Sequence, residues 1–312
     1  MPKENTHVYF ADNVLSQLKQ DKHPAAKILK SNSICFLLGA VAPDAFFYHK
    51  NPKVMAVSEV LHGKDGELTN KAVFFLLDQA RSNKSPEDLA LALGFVTHCI
   101  LDMIFHPAIY YFSGNYYSAD KNEQQRAIYL HRHLETGLDR KVNKKLFLHK
   151  TVGLKVLKKL TALNKLGKDF NLSKVDIKKS FARQKMFNRL FVSNSVFAFF
   201  RFLSKIGLVK DKAEFGLFYG NLAKDKTALP SALKYQHPVT GQTVSVSLSE
   251  LFARAREQTI LALAAAWDYY QGGISQKECA RVLVGQSLDT GLVGVGADKA
   301  KYFGVLNSER KG

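Results

Sequence analysis

The chain has 312 residues, 46% of them hydrophobic, enough to bury a sizeable core as one large domain or two. Lys and Arg number 45 against 27 Asp and Glu, and the resulting +18 favours polyanionic partners: nucleic acid, anionic lipid headgroups or phosphorylated substrates. Three widely spaced cysteines (Cys35, Cys99, Cys279) argue against a disulfide framework, and neither a secretory signal nor a run of about eighteen uncharged apolar residues is evident, so a soluble, cytoplasmic chain is expected.

Almost every segment has helical periodicity, so the expected fold class is all-α. The first helix should begin near Asn5 or Thr6, either able to cap it, and run to about Lys19. His7 then falls in its first turn, where a lone histidine carries little meaning. A second apolar helix, from about Ala25 to Ala40, is interrupted at Ser31-Asn32-Ser33 and leads into Pro43-Asp44-Ala-Phe-Phe-Tyr48. Pro43 should break the chain and leave Asp44 at a corner beside three aromatics. Such a carboxylate is either a turn residue or the partner of a buried cation. After a loop, His62 precedes Gly63, where the backbone is free to turn, and a third helix spans about Thr69 to Ala80. Ser85-Pro86-Glu87-Asp88 opens the next, with a capping Ser, Pro at the first position and acids in the first turn.

That helix carries the central stretch, Gly94 to Pro107. His98, Asp102 and His106 recur every fourth position, so they project from one side with neighbouring Cβ atoms roughly 5–6 Å apart. The spacing suits an imidazole and a carboxylate sharing one zinc, or a carboxylate bridging two. The plainer alternative is a buried His–Asp hydrogen bond. Pro107 should stop or kink the helix near His106 and aim that side chain toward a neighbouring metal. A Tyr-rich segment follows, then a helix from about Lys121 to Lys141 in which His131 and Glu135 repeat the spacing. His133 points elsewhere, and His23 reads as surface.

Nine of the ten histidines lie in the first 150 residues. The chain therefore divides into a metal-binding helical region, 1–150, and a Lys-rich helical region, 151–312, packed on the first. In the latter, His149 to Leu166 reads as one amphipathic helix. Ser173 opens a long one, with a break, toward Ile206, and its Phe-rich middle is expected to be core. The polar segment Lys224 to Val246 leads to a capping box at Ser247-Leu-Ser-Glu250 and a last long helix closed by Gly272-Gly273. A short helix from about Gln276 to Val284 and a Gly-rich tail finish the chain.

Taken in order, His7, Asp44, His62, His98, Asp102, His106, His131 and Glu135 resemble the ligand series of the zinc-dependent phospholipase C family, a helical fold related to single-strand-specific zinc nucleases. The match covers roughly residues 5 to 140. The resemblance implies two or three zinc ions: one on His62, His98 and Asp102 with Asp44 near or on the metal, a second on His106, His131 and Glu135, and a third on His7 with Asp102 bridging. Zinc would lower the pKa of bound water to about 7, and the hydroxide would attack phosphorus in line. Asp44 is the catalytic candidate, orienting or deprotonating that water. Two departures stand out. Secreted members complete the third site with an N-terminal Trp, whereas this chain begins Met1-Pro2 and has only Trp267; the retained terminus could substitute. The gap from Asp102 to His106 is also shorter than the family's.

The expected function is a zinc-dependent hydrolase of phosphodiesters or phosphomonoesters, with phospholipid headgroups as substrate and possible peripheral contact with a membrane. The alternatives are a nuclease or nucleotidase acting on nucleic acid, and a non-catalytic binding protein braced by its metals.

Overall fold

The helix that carries His98, Asp102 and His106 is the axis of the molecule. The computed structural model describes residues 3–142, 147–209, 212–304 and 306 and is mostly helical, the class that the periodicity predicts. The first part of the chain forms α1 (Glu4–Gln20), α2 (Ala25–Ser31), α3 (Ser33–Gly39), α4 (Ala42–Ala45), α5 (Pro52–Leu61), α6 (Asn70–Asn83), α7 (Pro86–Ser113) and α8 (Lys121–Val142). The remainder forms α9 (Leu148–Thr151), α10 (Thr161–Asp169), α11 (Lys174–Phe191), α12 (Asn194–Lys205), α13 (Leu248–Gln271) and α14 (Gln276–Cys279).

α7 is apolar on nearly all sides because α3, α6, α8 and α13 surround it. By length and composition it could cross a membrane, yet almost all of its apolar window is buried within the fold. Of the stop or kink expected near His106, the stop does not occur: the helix runs on to Ser113 with Pro107 inside. An internal proline costs a helix about 3 kcal/mol, and the packing of four neighbouring helices along α7 offsets that. One close contact fixes its position. A Cβ placed on Gly39 of α3 would lie 2.1 Å from the Leu91 carbonyl oxygen, and one on Gly94 of α7 2.0 Å from that of Phe36. The two backbones meet where only hydrogen fits.

Several elements differ from expectation. α5 replaces an expected loop: Asn51 caps it by accepting from the Lys53 N–H, and Pro52 occupies its first turn. The stretch 149–166 is not one helix; α9 ends at the extended Val152-Gly153, a 3₁₀ turn covers Leu154–Lys158, and α10 follows. The segment read as a polar link contains an antiparallel hairpin, β1 (Ala232–Gln236) against β2 (Thr243–Ser247), with Leu233 opposite Val246. The capping box at Ser247 forms and Gly272 closes α13 in the left-handed conformation, whereas α14 ends at Cys279 rather than reaching Val284. Of the Phe-rich stretch, Phe181, Phe191 and Phe197 are buried, but Phe199 and Phe202 face solvent. His23 is half-buried, edge-on to Trp267, rather than a free surface residue.

One hydrophobic cluster runs from Val8 to Leu288 and includes residues of both halves of the chain. α10 packs on α6, and α13 packs on α6 and α7, so the C-terminal helices complete the core around the axis.

Candidate metal centre

The first cluster assembles four residues from three elements. Asp44 comes from α4, His62 from the C-terminal end of α5, and His98 and Asp102 from α7. All four side chains are buried. Their approach is set by backbone contacts. The Ser58 hydroxyl donates to the Pro43 carbonyl, tying α5 to α4. His62 Nδ1 lies 2.6 Å from the Ser58 carbonyl oxygen, and His98 Nδ1 lies 2.9 Å from that of Ala40, just past the Gly39–Gly94 crossing.

A carbonyl oxygen only accepts, so each Nδ1 carries the proton and each neutral ring presents Nε2 as a lone pair. These two nitrogens face each other at 3.5 Å. Asp44 Oδ1 lies 3.2 Å from His62 Nε2 and 3.7 Å from His98 Nε2; Asp102 Oδ2 lies 3.5 and 3.0 Å from the same atoms. Ligand bonds of about 2.0–2.1 Å in a tetrahedron give edges of about 3.3 Å, so the five separations match the edges of a zinc tetrahedron. Both oxygens of Asp44 and both of Asp102 are buried, and apart from the facing imidazoles they meet no hydrogen-bond donor among the described residues. Two buried carboxylates in that state are costly unless a cation sits between them, and the donor set fits one.

In the metal-free protein the proton stands in for that cation. Burial favours neutral His62, but the Asp102 and Asp44 carboxylates beside it outweigh burial and raise its pKa to about 10. His98 moves the other way, held below its ordinary value by burial despite the same acids. Burial alone would raise the pKa of Asp102; the imidazoles of His98, His7 and His106 instead hold it well below the usual carboxylate range.

The second cluster is one turn further along α7. His106 meets His131 and Glu135 of α8, and the three can offer one ligand atom each to a common point. His131 Nε2 is 2.9 Å from Glu135 Oε1, and His106 Nε2 is 3.9 Å from it. Helix rise alone separates this centre from the first, since four residues advance about 6 Å along the axis. His106 Nδ1 donates to the Leu288 carbonyl at 2.8 Å and lies 3.1 Å from Asp289 Oδ1. Burial would raise the Asp289 pKa, but its contact with His106 lowers it overall. Burial holds His131 well below its ordinary value. His133 is also buried but faces away, its Nε2 at the Asp225 carbonyl and its ring stacked on Tyr129.

His7, in the first turn of α1, stacks on His98 with ring centroids 4.1 Å apart and places Nε2 3.1 Å from Asp102 Oδ1. Asp102 thus offers one oxygen to the first cluster and the other to His7, as a bridging carboxylate does. Among the described residues, sets of three or more donors converge on two centres, and His7 with Asp102 supplies two donors of a third. Met1 and Pro2, whose terminus was the expected substitute ligand, lie outside the described residues.

Asp44, His62, His106, His131 and Glu135 open on a cleft of about 480 Å³. Its walls add Lys3, Lys64, Arg132 and Arg183, carboxylates including Glu4 and Asp289, and aromatics such as Tyr48 and Tyr116. Burial lowers the Lys3 ammonium to about 8. Tyr48 donates to Glu4 Oε1, and burial, reinforced by nearby Asp44, raises the Glu4 carboxyl. Sequence reasoning missed Glu4 and Asp289. Glu4 had a signal, standing three residues before His7 on one helix face; Asp289, in a Gly-rich tail, had none.

A family model described as zinc-dependent phospholipase C matches residues 6–188. No curated protein and no solved structure matches the chain.

Proposed function

The chain belongs to the zinc-dependent phospholipase C family, and we propose that it hydrolyses small phosphoesters, phospholipid headgroups foremost, in the cleft where its two ligand clusters meet. The observation that carries this is the juxtaposition of both clusters with four cationic side chains around one cleft of about 480 Å³. That size suits a headgroup or nucleotide, within the usual range of small-molecule sites. His62, His98, Asp102 and Asp44 would hold one zinc, His106, His131 and Glu135 a second, and His7 with Asp102 would contribute to a third.

Zinc, when bound, supplies Lewis acidity that activates water near neutral pH and offsets negative charge developing at phosphorus. Asp44 is the first-cluster carboxylate that reaches the cleft wall, whereas Asp102 is enclosed behind it. On this reading Asp44 would orient a water molecule and accept its proton. Arg132 and Arg183 bring fixed positive charge to the cleft wall, where a phosphoryl group would need it. The buried Lys3, donating to the Leu217 carbonyl and lying over the Tyr219 ring, braces the entrance beside Glu4. A cytoplasmic location agrees with three buried, unpaired cysteines.

The second reading is a nuclease or nucleotidase, favoured by the +18 charge. Zinc-loaded protein should be assayed on short-chain phosphatidylcholine, a nitrophenyl phosphodiester and a single-stranded oligonucleotide over a salt series. Turnover of the first two that is lost in Asp44→Asn supports the proposal. Turnover of the oligonucleotide alone, falling steeply with salt, would move the assignment to the nuclease reading. Zinc binding without turnover of any substrate would leave the metals as braces.

A further inference from the structure

We propose that α12 and the groove beside it form a docking surface for an anionic lipid bilayer. The helix lies beyond the residues matched by the family model, and its side chains fall into three sectors at about 100° per residue. Phe197 is buried, with Val196 and Phe200 packed beside it. Phe199, Phe202 and Ile206 form an outward stripe, 57, 58 and 53% exposed, and Leu208 beyond the helix end is 70% exposed. Arg201 and Lys205 border that stripe on its other side. An outward apolar stripe edged by cations is the pattern of a helix lying in a membrane interface.

The adjoining groove identifies the occupant. It measures about 630 Å³, and its lining includes Arg140, Arg201 and Lys224 but no carboxylate among the described residues. A second copy, itself carrying +18, would cover the phenylalanines but bring more positive charge to the three cations, whereas an anionic bilayer supplies both acyl chains and phosphates. A nucleic acid would answer the cations and not the stripe. A buried aromatic cluster joins this face to the cleft: Phe197 and Phe200 pack on Phe218, Phe218 on Phe191, and Phe191 on Phe187, with the last two lining the cleft wall.

Co-sedimentation of the full chain with vesicles of phosphatidylcholine, alone and mixed with phosphatidylglycerol, tests the surface. The parent should bind the mixed vesicles more tightly. Phe199→Ser with Phe202→Ser should weaken binding to them at least about tenfold. Arg201→Gln with Lys224→Gln should weaken it about thirtyfold, with little change on phosphatidylcholine alone. All four positions are exposed, and unchanged circular dichroism and melting would confirm the fold. Equal binding of parent and phenylalanine variant, or no preference for phosphatidylglycerol, overturns the proposal. A parent dimer that dissociates in the phenylalanine variant, without vesicle binding, assigns the face to a second copy and also overturns it. Sedimentation reads binding whether or not lipid is cleaved, so its failure leaves the hydrolase reading standing.

Discussion

Asp289 Oδ1 lies 3.1 Å from Nδ1 of His106, and the Leu288 carbonyl accepts from the same nitrogen at 2.8 Å. The tail that carries them is pinned in turn, because the Leu288 N–H donates to the His62 carbonyl at 2.9 Å. One loop thus orients the His106 ring and holds the backbone at His62. Carboxylates behind metal-bound histidines fix the ring and raise its basicity, and their loss costs roughly 10–100-fold in metal affinity. Asp289→Ala should weaken zinc binding at the second cluster by about that factor while sparing the first. Competition with a chromophoric chelator would measure it; equal loss at both clusters would mean that the tail has unfolded.

The two clusters should fail separately. Asp102→Ala removes the carboxylate shared by the first cluster and His7, whereas His131→Ala touches only the second. Elemental analysis of protein purified without chelator should show two or three zincs in the parent. His131→Ala should lose one, and Asp102→Ala one or two. Parent protein without metal, unaltered in melting temperature by added zinc, would contradict the reading of these residues as ligands.

Zinc affinity at the first cluster should rise with pH. The metal-free folded protein holds His62 at about pKa 10, above an ordinary imidazole at about 6.5. That protonated ring stabilises the metal-free fold fully below about pH 6.5, and the contribution disappears as pH rises through 10. Zinc needs the neutral ring, so binding near neutral pH should release about one proton and apparent affinity should increase about tenfold per pH unit. Calorimetry in buffers of differing ionisation enthalpy counts the proton. No release between pH 7 and 8 would show that His62 is already neutral there.

The helix crossing beneath the first cluster tolerates no added carbon. A Cβ at Gly94 would stand 2.0 Å from the Phe36 carbonyl oxygen, so α3 and α7 would have to part and carry Ala40 away from His98. Gly94→Ala should cost at least about 1–3 kcal/mol of stability and lower the melting temperature by several degrees. A melting curve superimposable on the parent's would show that the crossing can relax.

The sequence by itself determined two pairs of imidazole and carboxylate, because an i, i+4 spacing on a helix is local geometry. His98 with Asp102 and His131 with Glu135 are close for that reason, whatever the rest of the chain does. Capping signals at Ser85, Ser173 and Ser247 were equally local, each a side chain accepting from a backbone N–H three residues on. Tertiary structure decided the rest. Only the packing of α3, α6, α8 and α13 around α7 could carry that helix through Pro107, a penalty that the isolated segment has nothing to offset. Only folding could bring Asp289 to His106 and the exposed face of α12 next to a basic groove, since neither residue spacing nor periodicity encodes contacts between distant segments. The 3.5 Å approach of His62 to His98, which calls for a cation, belongs to the same class: two carbonyls from separate elements fix the ring protons and leave two lone pairs facing one point.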